Sequence, residues 1–492
     1  MPPRGNDDVE LAGLDALLTE LHGAATACAT AAPAQRQAFV LRLVDRLAGQ
    51  REAIVDVAQR ETLLSRLDLE RELDRATVQL TFIADLLGSD EWIESQFDRV
   101  QVPSATTLRR LLVPLGPVLV FESSNFPFLF GAIGNDVVSA IATGNSVVLK
   151  VHECHPHTTL ALISLVQEAL SAVNLATATL CTVRSKRAAV AVLGDSRVHA
   201  AGFTGSLNGG RYLRDIASSR SVPIPFYGEF GSLNPCVVTK SALRERRSDL
   251  LAEFVQQVTL RSGQLCTKPG LLLVAGGSDS AEEIGELLRP LTELPMLSTE
   301  IADQFRSRLD RQEATDGSLA LSNVLADSGR PRYVRPTVIY TTLENVLDHD
   351  VLREECFGPS SVVAEFDSVA DVIAAFDDFQ GSLTGALMTG SEEDPSDHER
   401  LLSALVRMSG RVILNGWPTG VAVARAMQHG GPWPSSSEPA STSIGGASLR
   451  RWMRPVALQG FNGFDEPSPI VASGTFALGL QSSSSSSSKS SS

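Results

Sequence analysis

Between Val118 and Phe203, strand-like apolar runs alternate with helical segments, and this alternation constrains the fold more than any other sequence feature. Parallel strands need a crossover connection, usually a helix, whereas antiparallel strands can follow each other through short turns. The spacing therefore predicts a doubly wound parallel α/β sheet, which binds ligands at the carboxyl ends of its strands. The predicted strands are Val118–Glu122, Ser146–Lys150, Thr179–Val183 and Val198–Phe203, with helices at Phe130–Ala142 and Thr158–Ala172.

The regions on either side of this unit have different patterns. Residues 9 to about 95 carry apolar residues three and four apart, which predicts helices. A second strand-and-helix unit begins near Asn234-Pro235 and continues to about Gly416, so a second α/β sheet is expected. Residues 481–492 are nearly all serine and are expected to be disordered, because they offer no apolar side chains for a core.

The chain of 492 residues is long enough for two or three domains, and its net charge of −15 restricts the classes of partner. An acidic balance argues against nucleic acid or an anionic membrane as the main partner. No apolar run is long enough for a membrane span, and the N-terminus lacks the apolar stretch of a secretory signal. The six cysteines form no C-x-x-C pair, which is typical of reduced thiols in a cytoplasmic protein.

Two stretches carry candidate chemistry. Cys266 lies among small residues in Ser262–Gly270, which ends in a Pro-Gly turn signal. This context predicts either a reactive thiolate at the end of a helix or a buried structural cysteine. The loop Thr204–Gly210 joins a strand to a helix and contains three glycines, so it either approaches a phosphate closely or is a plain turn.

A group of histidines and a cysteine at residues 152–157 has the ligand types that zinc prefers. Four potential ligands within six residues cannot easily close a tetrahedron, and no second ligand pair follows in the sequence. The sequence therefore predicts that no metal ion is bound there. The four residues are His152, Cys154, His155 and His157.

Six short motifs follow each other in a defined order along the chain. They are Ser-Ser-Asn125-Phe-Pro, Lys150 at a strand end, Phe-Thr-Gly205-Ser206, Tyr-Gly-Glu229-Phe-Gly, Gly-Gln-Leu-Cys266 and Glu355-Cys-Phe357-Gly-Pro. Each motif alone is a weak signal, but together they resemble the aldehyde dehydrogenase superfamily over roughly residues 30 to 445. The resemblance implies two doubly wound parallel-sheet domains and a small bridging or oligomerisation arm.

The resemblance also implies a division of the chain. Residues 1–95 and 115–231 would form a dinucleotide-binding domain, residues 232–435 a catalytic domain, and residues 96–114 and 436–465 the bridging arms. Arg109–Val113 and Thr442–Leu449 resemble the arms through which family members associate. A homodimer or homotetramer is therefore expected.

The chemistry that the resemblance implies is oxidation of an aldehyde to a carboxylic acid. Cys266 would attack the aldehyde and form a thiohemiacetal and then a thioester. The side-chain amide of Asn125 and the backbone N–H of Cys266 would stabilise the oxyanion. Glu229 would activate the water that hydrolyses the thioester.

The coenzyme is expected to be NAD or NADP. Lys150 matches the family lysine that binds the adenosine ribose, and Gly205, Ser206 and Gly210 match the pyrophosphate loop. Glu355 and Phe357 match the contacts to the nicotinamide ribose. Glu153 stands where NAD-dependent members often have a carboxylate for the ribose 2′-OH, which would repel a 2′-phosphate. The related branch commonly uses NADP, and three residues after the third strand could hold a 2′-phosphate instead: Arg184, Ser185 and Lys186.

Within the superfamily, three segments are most similar to the 2-ketoglutarate semialdehyde (2,5-dioxovalerate) dehydrogenases: Glu229–Pro235, Gly263–Gly270 and Asn415–Gly420. The NADP-dependent long-chain fatty aldehyde dehydrogenases are also similar, so both substrates stay open. Arg261 and Arg425 are candidates for binding a substrate carboxylate. Two other classes are a catalytically silent binding protein on this fold and an acyl-CoA-forming enzyme, and Glu229 argues against the second.

Overall fold

The computed structural model describes residues 6–460, except residues 90, 102, 104, 278 and 324–328. The Ser-rich tail predicted to be disordered lies outside these residues. Among the described residues, the helices are α1 (Asn6–Thr30), α2 (Pro33–Thr62), α3 (Arg66–Leu87), α4 (Asn135–Ala142), α5 (Pro156–Ala172), α6 (Lys186–Gly194), α7 (Leu207–Ser219), α8 (Lys240–Thr259), α9 (Ser280–Leu288), α10 (Thr299–Glu313), α11 (Leu343–Asp348), α12 (Val369–Asp378) and α13 (Pro395–Met408).

The described strands form several sheets. They are β1 (Gln96–Gln101), β2 (Ala105–Pro114), β3 (Val118–Phe121), β4 (Val147–Lys150), β5 (Leu180–Val183), β6 (Ala200–Thr204), β7 (Phe226–Glu229), β8 (Pro235–Val238), β9 (Leu271–Ala275), β10 (Leu294–Pro295), β11 (Leu319–Ser322), β12 (Tyr333–Val334), β13 (Thr337–Thr342), β14 (Ser360–Phe366), β15 (Ser382–Met388), β16 (Ser409–Leu414) and β17 (Met453–Gln459).

The N-terminal region is helical, as the apolar spacing predicted. Helix α2 begins with a proline at its first turn, where the missing N–H costs no hydrogen bond. Helix α3 begins after Ser65, whose side chain accepts a hydrogen bond from the Asp68 backbone N–H at 3.1 Å. The buried face of α2 includes Phe39 and Leu43, which belong to the same apolar core as strand β3.

The predicted parallel sheet is present, with strand order β5-β4-β3-β6-β7 and parallel pairing throughout. Two boundaries were wrong: the loop predicted to extend to Gly210 ends before helix α7, which begins at Leu207, and the helix predicted to begin at Phe130 begins at Asn135. A Cβ on Gly131 would lie 2.0 Å from Pro127 O, and the Asn135 N–H bonds to Leu129 O at 2.9 Å. This backbone packing replaces the first helical turns, because glycine allows an approach that a side chain would block.

The second α/β sheet has the strand order β11-β13-β14-β9-β8-β15-β16, and only β11 pairs antiparallel among its described strands. Strands β8 and β9 are fully buried, which is typical of parallel strands covered on both faces. This sheet lies within the range predicted for a catalytic domain.

A third sheet is antiparallel, with the order β1-β2-β17. It lies within the ranges predicted for the bridging arms, although Thr442–Leu449 contains no strand and β17 supplies the C-terminal strand instead. The domain boundaries themselves stay predictions. Among the described residues, no helix is both long and apolar enough to cross a membrane.

Candidate active site

Cys266 follows a strained turn at the end of helix α8. Arg261 and Ser262 have positive φ angles of 50° and 57°, a backbone conformation that non-glycine residues rarely adopt. Gly263 continues the turn at a φ of 64°, and a Cβ there would lie 2.1 Å from Gly358 O. Such strain persists only where surrounding contacts impose it, and it is common at functional sites. The turn leaves Cys266 half-buried, so its sulfur can be reached.

Buried polar side chains hold the backbone on both sides of Cys266. Asn234 Nδ2 donates to Cys266 O at 2.8 Å and to Lys268 O at 2.9 Å. The buried Lys268 amine donates in turn to Cys356 O at 2.9 Å. Because buried carbonyls need partners, these bonds fix the path of the loop and thereby the position of the sulfur.

Asn125 lies beside the same loop. The residue is 7% exposed, and its Nδ2 donates to Gln264 O at 3.0 Å. An amide nitrogen carries two hydrogens, so one hydrogen of Nδ2 is available to a substrate oxygen.

Cys266 and Glu229 are brought together by the fold, and a third residue joins them. His429 Nε2 lies 3.6 Å from Cys266 Sγ and 3.0 Å from Glu229 Oε1. One ligand atom from each of the three residues lies within 4.8 Å of the others. Thiol, imidazole and carboxylate groups at this separation can exchange protons, and they are also the ligand types of zinc.

The three groups perturb each other's charge. Burial alone would lower the pKa of His429, but the charge of Glu229 and the contact with Cys266 raise it to about 10. Burial alone would raise the pKa of Glu229, but the positive charge of His429 lowers it below its ordinary value. At neutral pH the site therefore contains an imidazolium between the sulfur and a carboxylate.

His429 was not predicted from the sequence. Its only local signal is its position in Gln-His-Gly-Gly-Pro, where glycines on one side allow a tight loop. Its backbone N–H donates to Thr442 Oγ1 at 2.9 Å, and the adjacent Ser443 hydroxyl donates to Glu229 Oε2 at 3.2 Å. Residues expected to resemble a bridging arm thus contribute to the wall of this site.

The residues predicted to bind a coenzyme lie where strands and loops end. Lys150 is the last residue of β4, and its amine contacts Glu153 Oε1 at 2.7 Å. Gly205 and Ser206 are exposed between β6 and α7, and Ser206 caps that helix. A lysine amine, a hydroxyl and a helix N-terminus suit the ribose and pyrophosphate of a dinucleotide.

Three further residues predicted to contact the coenzyme are buried or half-buried in the protein. Gly210 is buried, and a Cβ there would lie 1.9 Å from Phe230, so packing alone requires glycine. Glu355 has its pKa raised to about 7 by burial, against the opposing charge of Lys268. Phe357, two residues on, is half-buried.

The remaining candidates have other partners. Arg261 is largely buried and bonds to Glu72 at 2.8 Å and to Asn125 O at 2.8 Å, whereas Arg425 is exposed and pairs with Glu91. In the possible zinc cluster, the buried ring of His155 bonds to Ser123 O at 2.9 Å. Each arginine therefore forms an ion pair with a glutamate, and the His155 ring forms a hydrogen bond within the protein.

The chain is similar to known proteins over most of its length. The family model described as "Aldehyde dehydrogenase family" matches residues 10–445. The chain is 32% identical to alpha-ketoglutaric semialdehyde dehydrogenase 2 of Azospirillum brasilense, over 89% of this chain and 86% of that protein. It is 31% identical to alpha-ketoglutaric semialdehyde dehydrogenase of Acinetobacter baylyi, over 86% of this chain and 82% of that protein.

A solved structure has the same fold. Betaine aldehyde dehydrogenase from Staphylococcus aureus, in complex with NAD+, superposes with a TM-score of 0.78 at 20% identity, covering 90% of this chain and 86% of that chain. The matched profile spans most of the chain, and both curated relatives exceed 30% identity. The chain therefore belongs to the aldehyde dehydrogenase family.

Proposed function

We propose that the protein oxidises 2-ketoglutarate semialdehyde to 2-ketoglutarate with a nicotinamide coenzyme. The observation that carries the proposal is the group of Cys266, His429 and Glu229 within 4.8 Å, beside the amide of Asn125. Oxidation of an aldehyde through a covalent intermediate needs a sulfur nucleophile, an oxyanion donor and a base. Similarity to two alpha-ketoglutaric semialdehyde dehydrogenases supports the substrate.

In the first step the Cys266 sulfur attacks the aldehyde carbon, and the carbonyl oxygen becomes the oxyanion of a thiohemiacetal. The second hydrogen of Asn125 Nδ2 and the Cys266 backbone N–H would donate to this oxyanion. The imidazolium of His429, 3.6 Å from Sγ, places a positive charge beside the sulfur, which favours attack by a thiolate.

When bound, a nicotinamide coenzyme supplies the hydride acceptor for this oxidation. Lys150, Glu153 and the exposed loop residues Gly205 and Ser206 would hold its adenosine and pyrophosphate, with Gly210 supporting the loop by packing. Glu355 and Phe357 would hold the nicotinamide ribose.

In the second step Glu229 activates a water that hydrolyses the thioester on Cys266. Its lowered pKa keeps the carboxylate ionised at neutral pH, which is the form that can accept a proton from water. Replacing Glu229 with glutamine should therefore preserve a burst of reduced coenzyme but slow steady turnover. An unchanged steady-state rate would exclude Glu229 as the base.

For the coenzyme we propose NAD, with NADP as the competing outcome. Glu153 presents a half-exposed carboxylate beside Lys150, at the end of β4. The N-terminus of α6, which could have received a 2′-phosphate, is already bonded to the Glu10 carboxylate through Arg184 N at 2.6 Å and Ser185 N at 3.0 Å. The Glu10 carboxylate would repel a 2′-phosphate bound at this position, because both groups are negatively charged.

The substrate is tested by kcat/KM on the five-carbon semialdehyde acid and on straight-chain aldehydes of increasing length. We expect the semialdehyde acid to be the better substrate. A fatty-aldehyde enzyme would instead gain about 0.8 kcal/mol per added methylene, so activity that rises with chain length would refute the proposal. If acyl-CoA forms when CoA is added, the protein is an acylating enzyme. If no aldehyde is turned over, the protein is a silent binding protein.

We also propose that the protein acts in the cytoplasm as a homo-oligomer. The antiparallel sheet β1-β2-β17 ends in β1 and β17, and unpaired strand edges readily pair with another chain. Light scattering tests this, and a monomeric mass at working concentration would contradict it.

A further inference from the structure

Glu72 is a buried carboxylate on helix α3 that divides its two oxygens between two partners. Its side chain is 1% exposed. Oε1 accepts hydrogen bonds from the backbone N–H groups of Phe128 at 2.8 Å and Leu129 at 3.1 Å. Oε2 accepts a hydrogen bond from Nη2 of Arg261 at 2.8 Å. Glu72 therefore joins the segment after β3, which carries Asn125, to the strained turn at the end of helix α8.

Arg261 completes this connection from the turn. Its side chain is 8% exposed, and Nη2 also donates to Asn125 O at 2.8 Å. Its Cζ lies 4.7 Å from the ring centre of Phe126, a distance at which a cation is attracted to the ring. Its φ of 50° is rare outside glycine and persists only because surrounding contacts impose it. Since the guanidinium is planar and its donors have fixed directions, these contacts set the Asn125 backbone relative to the turn.

A ring of hydrogen bonds closes through the Asn125 side chain. Asn125 Nδ2 donates to Gln264 O at 3.0 Å. The backbone N–H of Gln264 donates in turn to Arg261 O at 3.2 Å. Gln264 is itself buried, and its Oε1 accepts from Leu297 N at 3.0 Å. The backbone of Asn125 is thus held by Arg261, and its amide is held by the loop that leads to Cys266.

We propose that Glu72 and Arg261 form a positioning pair that sets the Asn125 amide for the oxyanion. The inference rests on the proposed function, which gives Asn125 the role of oxyanion donor. The pair acts through Asn125 and not by contact with the substrate. A donor stabilises the transition state only when it points at the atom where charge develops, and a displacement of about 1 Å can cost about 100-fold in rate.

The variant Glu72→Gln breaks the pair selectively. The amide oxygen of glutamine can still accept from Phe128 N and Leu129 N, whereas its amide nitrogen, at the place of Oε2, is a donor that faces the donor Nη2 of Arg261. The measurement is the single-turnover rate of reduced coenzyme formation with 2-ketoglutarate semialdehyde, or with pentanal if the native protein does not oxidise the semialdehyde acid. We expect this rate to fall about 10- to 100-fold.

A second measurement separates positioning from a general structural effect. Alkylation of the Cys266 thiolate by iodoacetamide forms no oxyanion, so its rate in Glu72→Gln should stay within about twofold of the native rate. Asn125→Ala should lower the single-turnover rate about 100- to 1,000-fold, the usual cost of losing one oxyanion donor. Adding Glu72→Gln to Asn125→Ala should lower it no further, because the pair acts through an amide that is already absent.

Variants of Arg261 test the pair from its other side. Arg261→Met removes the charge and the donors and should lower the single-turnover rate to a similar extent, whereas Arg261→Lys keeps a cation for Glu72 and should recover part of the rate. These variants also decide the question if Glu72→Gln does not fold, since removing one partner of a buried ion pair is destabilising. A matched control is Glu283→Gln on helix α9, because Glu283 also accepts an arginine N–H, from Arg247 at 2.9 Å, and its loss should leave both rates unchanged.

The two proposals can fail separately. If Asn125→Ala leaves the single-turnover rate unchanged, the proposed oxyanion role of Asn125 is wrong. If Asn125→Ala lowers the rate but Glu72→Gln and Arg261→Met do not, the oxyanion role stands and the positioning pair is overturned. Equal losses of the single-turnover and alkylation rates, or additive losses in the double variant, would also overturn the pair, because its effect would then not pass through the Asn125 amide.

Discussion

Replacing Glu229 with glutamine should deprotonate His429 at neutral pH. In the native protein the pKa of His429 is about 10, because the charge of Glu229 and the contact with Cys266 outweigh burial. Relative to the ordinary value of 6.5, this is about 5 kcal/mol in favour of the imidazolium, at 1.36 kcal/mol per pKa unit. Glutamine has nearly the shape of glutamate but no charge, so the effect of Glu229 is lost and the pKa of His429 should fall towards or below its ordinary value.

Histidine-selective ¹³C labelling and NMR would measure this change directly. The signal of His429, identified by its loss in His429→Gln, should keep its imidazolium position from about pH 6 to 9 in the native protein. In Glu229→Gln the same signal should move within that range. Because the folded pKa is raised, the contribution of His429 to stability is fully present below about pH 6.5 and is lost as the pH rises towards about 10.

A matched control is Glu365→Gln, since Glu365 is a partly buried carboxylate on β14 that accepts a hydrogen bond from Tyr340. This change should leave the His429 signal unaltered. If His429 in the native protein titrates near its ordinary pKa, or if Glu229→Gln leaves its titration unchanged, the reasoning from the ion pair is wrong.

Three other predictions follow from the same site. Cys266→Ala should abolish dehydrogenase turnover and leave coenzyme binding, measured by fluorescence, nearly intact; full activity would exclude Cys266 as the nucleophile. Glu153→Ala should raise kcat/KM for NADP relative to NAD, and an unchanged ratio would mean that Glu153 does not face the ribose. Micromolar Zn²⁺ should inhibit reversibly, because a sulfur, an imidazole and a carboxylate lie within 4.8 Å; EDTA should restore the rate, and equal inhibition of His429→Gln would contradict this binding mode.

The strand and helix pattern of the sequence predicted the fold because local periodicity reflects which face of each element is buried. Strands β3 to β6 and helix α5 lie where the apolar runs placed them, whereas α7 begins at Leu207, inside the loop predicted over Thr204–Gly210. The start of α4 was misplaced, since apolar spacing at Phe130 cannot reveal that Gly131 packs against a carbonyl oxygen. Boundaries of this kind depend on contacts between backbones.

The sequence by itself determined the family and the candidates Cys266, Glu229 and Asn125, because each lies in a short motif whose residue types suit one chemical step. Only the tertiary structure decided that His429 lies between the sulfur and the carboxylate, 163 residues from Cys266 in the chain. It also decided that Arg261 pairs with Glu72 and Arg425 with Glu91. The physical reason is that the charge and availability of a side chain depend on the groups around it, and the fold brings those groups from distant parts of the chain.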